Sequence, residues 1–149
     1  MIELLKQEYI LTPEDDHTHL EIPFELKKDY EKLHFKFLYS PKWVEEERAI
    51  MLINEHLNEV IPKEQFSEWG DANRYLPLEN LITLSLDYNN QYIGAHHCKD
   101  ATQNILISNE KSTKGFLKQS VSQGNWSIKM NMHCVQSEKV TLKLQISVE

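Results

Sequence analysis

The chain has 149 residues, 40% apolar and 26% charged, proportions ordinary for a soluble globular protein of one domain spanning 1–149. Its 16 basic and 23 acidic side chains give a net charge of −7, which disfavours nucleic acid and anionic membrane as partners, since both need a basic face. No apolar run nears the roughly 20 residues of a membrane span. The opening MIELLKQEYI lacks a signal-peptide pattern, and two Cys do not make a disulfide framework, so a reduced, cytoplasmic protein is expected.

Residues 2–11 are rich in apolar side chains, and a strand is expected near Glu8–Leu11. Pro13 to Asp16 reads as a turn. Leu20, Ile22, Phe24 and Leu26 alternate with polar residues apart from Pro23, which predicts an edge strand or a break at Pro23, because Pro cannot donate to a ladder. Leu33, Phe35, Phe37 and Tyr39 alternate again, with His34, Lys36 and Leu38 outward. Then the period changes. Ser40 suits an N-cap, Pro41 suits a first helical position, and Glu45, Glu46 and Glu47 favour the positive end of a helix dipole. Trp43, Ile50, Ile53, Leu57 and Val60 form one apolar stripe, so a helix is expected over 41–61. Residues 65–77 read as an irregular connection anchored by Phe66, Trp69 and Tyr75.

The stretch from Leu78 to Asp100 opens with a strand in which Ile82, Leu84 and Leu86 face inward, followed by turn chemistry at Asn89-Asn90. Residues 104–108 form a short strand, and Gln123-Gly124 a turn. Trp126, Ile128, Met130, Met132 and Cys134 then alternate with polar residues, and Leu142, Leu144 and Ile146 face inward in the last strand. Seven or eight alternating strands and one helix predict a mainly β protein: a two-sheet antiparallel sandwich with an inserted helix near 41–61. Trp126, Phe35, Phe37, Leu84 and Leu86 are its expected core.

The C-terminal half, about Leu78 to Val148, runs ITLSLD, YIG, ILIS, TKGFL and GNW. In that order these segments resemble the small β-sandwich domain ahead of the catalytic domain in bacterial PHP-type metallohydrolases of the carbaryl-hydrolase class. They resemble still more the stand-alone bacterial proteins of unknown function with the same pattern. The resemblance implies a jelly-roll-like sandwich in a bacterial protein. It implies no chemistry, because in the two-domain proteins the metal ligands lie in the other domain. Ile93-Gly94 stands where the family often has Arg-Gly.

Asp15-x-His17-x-His19 matches the start of PHP catalytic domains, but no series of strand-end ligands follows it. The densest reactive cluster is His96, His97, Cys98 and Asp100, in a loop that could bring adjacent His to one ion. His133 ends another strand and would complete a zinc- or iron-type set. The structural alternative is loop His fixing an irregular crossing between sheets. A Cys98 nucleophile paired with His96 or His133 is a weaker reading, and Cys134 falls in the apolar register. Trp43 and Trp69 suit either a helix packed on a sheet or a sugar-stacking surface.

No catalytic constellation is complete, so neither catalytic residues nor a resident cofactor is expected. The expected function is a small binding or interaction module with an unknown ligand or protein partner. The alternatives are a divalent-metal protein or metal-dependent hydrolase using His96, His97 and His133, and a structural homo-oligomer.

Overall fold

The computed structural model describes residues 1–149. Alternating apolar side chains set eight strands: β1 (Ile2–Leu11), β2 (His19–Leu26), β3 (Lys32–Ser40), β4 (Leu81–Tyr88), β5 (Gln91–His96), β6 (Thr102–Ser108), β7 (Gly124–Cys134) and β8 (Val140–Val148). They form two four-stranded antiparallel sheets packed face to face. The orders are β1-β8-β3-β6 in the first sheet and β2-β7-β4-β5 in the second. Each strand pairs with the one that mirrors it about the β4–β5 turn: β4 with β5, β3 with β6, β2 with β7, β1 with β8. The chain is thus one long antiparallel ribbon, doubled at Asn89-Asn90 and wrapped so that β3–β8 and β4–β7 also pair. This is the topology of an eight-stranded jelly roll. Both turn residues have positive φ, 47° and 65°, as a type I′ hairpin requires, and Asn tolerates that region.

β2 is an edge strand with Pro23 opposite Ser127, so the lost donor falls where no ladder needs it. β1 is longer than the expected Glu8–Leu11. Most of its side chains are exposed on both faces, so alternation does not mark its first half.

The helix departs most from expectation. α1 runs Glu46–Val60, and Ser40 still belongs to β3. Pro41 is not its first residue. Residues 41–44 stay extended because the chain returning at 78–80 grips them. Val44 N–H donates to the Leu78 carbonyl (2.9 Å), Asn80 N–H donates to Lys42 (2.8 Å), and Trp43 bridges Glu79. Nor does α1 lie across a sheet. It packs against a short helical turn at Ala72–Tyr75, within an excursion, residues 41–80, between β3 and β4. No helix is long and apolar enough to cross a membrane.

Twenty-five buried residues make the core, drawn from both sheets and their connections, and none lies in the excursion. Phe35, Phe37, Leu84, Leu86 and Trp126 are all buried. Trp126 sits between the Tyr88 ring (centroids 4.4 Å) and the Phe24 ring (6.3 Å), and its indole N–H donates to the Ser122 carbonyl (3.1 Å). Truncating it removes a large apolar volume and strands that carbonyl. Trp126→Ala is expected to cost about 3–5 kcal/mol, and Trp126→Phe less, since most of the volume stays. Urea unfolding checks both, and an unchanged midpoint for Trp126→Ala would overturn the burial described.

Candidate functional site

Four connections gather at one end of the sandwich: β1–β2, the excursion, β5–β6 and β7–β8. They are bonded to one another. Val135 N–H donates to Asp16 Oδ1 (2.7 Å), and Arg48 Nε donates to the Gln136 carbonyl (2.5 Å). Lys42 Nζ donates to the Lys99 carbonyl, and Lys99 Nζ lies 3.9 Å from Glu79. Loops held on a rigid scaffold are where binding residues concentrate. Every reactive side chain singled out in the sequence lies at this end.

They do not converge. His96 pairs opposite Leu84 and so shares the inward face of β5. Its Nδ1 meets Gln103 Oε1 at 2.6 Å. Gln103 is buried, and its amide donates to the carbonyls of Cys98 (3.0 Å) and Asp100 (2.8 Å). His96 therefore braces the crossing from β5, in one sheet, to β6, in the other. His133 belongs to the opposite face, where its Nε2 meets Thr83 Oγ1 at 2.8 Å. His97 is exposed, and the Cys98 thiol donates to Asp100 Oδ2 (3.3 Å). No three His, Cys, Asp or Glu side chains are arranged to hold a metal ion. His96, His97 and His133 are thus not brought together as a donor set: His96 and His133 lie on opposite strand faces, and His97 lies in the loop after β5.

Asp15, His17 and His19 are no ligand set either. Asp15 accepts from Thr12 N–H (2.9 Å), His17 points to solvent beside Asp16 (3.3 Å), and His19 is exposed. Cys98 and Cys134 are free thiols. Burial, then the Asp16 and Glu79 carboxylates, push the Cys134 thiol above its ordinary pKa, which holds it in the unreactive protonated form.

What fixes this end is Asn80, which sequence reasoning passed over. It is fully buried. Its amide donates to the Pro41 carbonyl (3.0 Å) and Ser137 Oγ (2.8 Å), and its Oδ1 accepts from the N–H groups of Gln136 (2.8 Å) and Ser137 (3.3 Å). One side chain thus ties the neck of the excursion to the β7–β8 loop. Beside it, Lys42 pairs with Glu79 (2.9 Å). Burial opposes the Lys42 charge, but Glu79 and the Tyr39 hydroxyl outweigh it, and the Lys42 pKa is raised. Burial also raises the Tyr39 phenol, against the pull of Lys42.

The excursion projects from this neck. It carries nine of the acidic residues and four basic ones, a net −5 of the chain's −7. Trp43, Met51, Val60, Phe66, Trp69 and Tyr75 are exposed upon it. Three of these are built together. The Tyr75 hydroxyl donates to the Trp69 carbonyl (2.9 Å), the Arg74 guanidinium covers the Trp69 ring at 4.2 Å, and the Phe66 ring lies against the backbone of Gly70. Trp43 has Lys42 at 5.3 Å from its ring centroid. Cations therefore already sit over both Trp rings, which leaves less of either for stacking a sugar.

Asn80→Ala is expected to cost about 3 kcal/mol, because it orphans two backbone N–H groups and a carbonyl in a dry site. A shift under about 0.5 kcal/mol in urea would remove Asn80 from this role. Tyr39 supplies a pH signature. The fold holds the neutral phenol, so the linked stability is complete below the ordinary pKa near 10 and falls as pH rises through the raised folded value. Thermal midpoints between pH 8 and 11 are expected to fall less steeply in Tyr39→Phe than in the parent.

No protein-family model matches the chain, and no curated protein matches it. Among solved structures, a crystal structure of a protein from Sulfurospirillum deleyianum aligns over 97% of this chain and 98% of its own, at 11% identity and a TM-score of 0.37. At that score it bears on neither fold nor function.

Proposed function

We propose that this protein is a non-catalytic binding module of the bacterial cytoplasm, and that the excursion between β3 and β4 is its recognition surface. The observation that carries this reading is the division of labour in the chain. Residues 41–80 contribute nothing to the core, yet they display six large apolar side chains and most of the net charge. Aromatic side chains and Arg on a protruding, anchored element are the composition of interface hot spots. An acidic rim selects a partner surface that is basic around an apolar centre. The side chains that could have served catalysis are taken up otherwise: His96 braces a crossing, His133 bonds Thr83, and Cys134 is held protonated. The resemblance to the domain ahead of PHP metallohydrolases fits a module whose partner carries the chemistry.

Phe66→Ser with Trp69→Ser tests the reading. Both side chains lie outside the core, so the unfolding midpoint should stay within about 1 kcal/mol of the parent. Affinity for a partner captured by the parental protein from its host should fall at least about tenfold, and parental binding should weaken with salt. Unchanged affinity in the double variant would move recognition off the excursion.

A further inference from the structure

The two sheets have four edges, and three are blunted. β2 carries Pro23 in its middle. β5 is covered by the segment at 115–117: Ala95 N–H donates to Gly115 (3.2 Å) and Leu117 N–H to Ile93 (2.9 Å). Gly94 and Gly115 permit that approach, since a Cβ on either would stand 2.2 Å from a backbone oxygen. β6 is covered by the same connection, through Thr113 N–H to Leu106 (2.8 Å) and Gln119 N–H to Ser108 (3.0 Å). The fourth edge is β1. It pairs with β8 alone, and outside that ladder none of its backbone groups is bonded. It is ten residues long, with Ile2, Leu4 and Ile10 exposed. A long bare edge with apolar side chains is a template for another strand.

The sequence of β1 says which strand. Leu4-Leu5-Lys6-Gln7-Glu8-Tyr9-Ile10 is a chemical mirror about Gln7. Two copies paired antiparallel with their two-fold axis at Gln7 put Lys6 opposite the partner's Glu8, Leu5 opposite the partner's Tyr9, and Leu4 opposite the partner's Ile10. Each pairing occurs twice by symmetry. Cross-strand pairs of opposite charge and of apolar groups stabilise a ladder, and like charges directly opposite do the reverse. Moving the axis one residue either way faces Lys6 with itself or Glu8 with itself. An intermediate axis would turn one sandwich over relative to the other, because side chains alternate faces along a strand. Three further observations agree. The regular ladder runs from Leu5 to Leu11, past the bulge near Leu4, so the central pairs fall on undistorted backbone. Lys6 makes no ion pair within its own chain, although it shares a depression with Lys36 and Lys143. The Tyr9 hydroxyl donates to Gln7 Oε1, which leaves the Gln7 amide hydrogens for the axis.

We propose that β1 is a homodimerisation strand: two copies join edge to edge about Gln7, and the β1-β8-β3-β6 sheets fuse into one eight-stranded sheet. The contact is independent of the excursion. The fused open face then carries Lys6, Lys36 and Lys143 from both copies.

Sedimentation velocity on the full chain, with and without charge reversal, tests this. The parent should sediment as a particle of twice the 17.6 kDa chain mass. Lys6→Glu and Glu8→Lys should each weaken the dimer about tenfold, since each reversal places like charges together twice. The double variant Lys6→Glu/Glu8→Lys should restore it, because the opposite charges face each other again. Both side chains are exposed, so Lys6→Glu should leave the thermal midpoint of dilute monomer near the parental value, and Glu8→Lys, which sets a Lys opposite Lys143 within the chain, should lower it only slightly. A parent that stays monomeric up to about 0.5 mM, far above affinities of ordinary dimers, overturns the proposal. So do single reversals without effect, or a double variant no tighter than the singles.

Discussion

Everything in this protein depends on the pairing of strands about the turn at Asn89-Asn90. Because the two Asn accept left-handed backbone angles, β4 and β5 form a tight hairpin, and the rest of the chain continues as a doubled ribbon. A doubled ribbon has two faces of alternating character. Wrapping it once buries the apolar face against itself, and Leu33, Phe35 and Phe37 of one sheet then share a core with Leu84, Leu86 and Trp126 of the other. The wrap also sends every second connection to the same end. The loops there were brought together by topology before any side chain chose a role.

At that end the chain leaves the ribbon for forty residues and must return in register. The return is secured by polar groups. Asn80 satisfies both its donor and acceptor capacity out of water, and the Lys42–Glu79 pair stands beside it. A buried amide with matched partners on two segments defines position more tightly than a hydrophobic contact would, because its bonds have direction. The excursion can therefore be held rigidly at its base while contributing nothing to the core.

Sequence made the sandwich readable and the site unreadable, for one physical reason. Alternation reports burial directly, so Trp126 and the inward residues of β3, β4, β7 and β8 announce their face. Where both faces are wet, as along the first half of β1, nothing announces the strand. A bulge then breaks the inference from alternation to face. β5 gains a residue opposite Leu86–Asp87, which turns His96 to the inward face, while His133 keeps the outward face beside Thr83. Ser40-Pro41 has good helix-start chemistry, but Asn80, distant in sequence, holds the segment extended. Local sequence also cannot distinguish a buried Asn like Asn80 from one in a turn.

The mirrored pairing has a consequence during synthesis. Among the eight strands β1 comes first, and its only partner within the sandwich, β8, comes last. Pairing of Ile2 with Val148 closes almost the whole chain into a loop, among the slowest kinds of contact to form. Until β8 is made, an apolar-rich segment therefore waits without a partner, the state in which nascent chains aggregate. Lys6 and Glu8, set in the middle of that segment, interrupt its apolar run and act as gatekeepers while it waits.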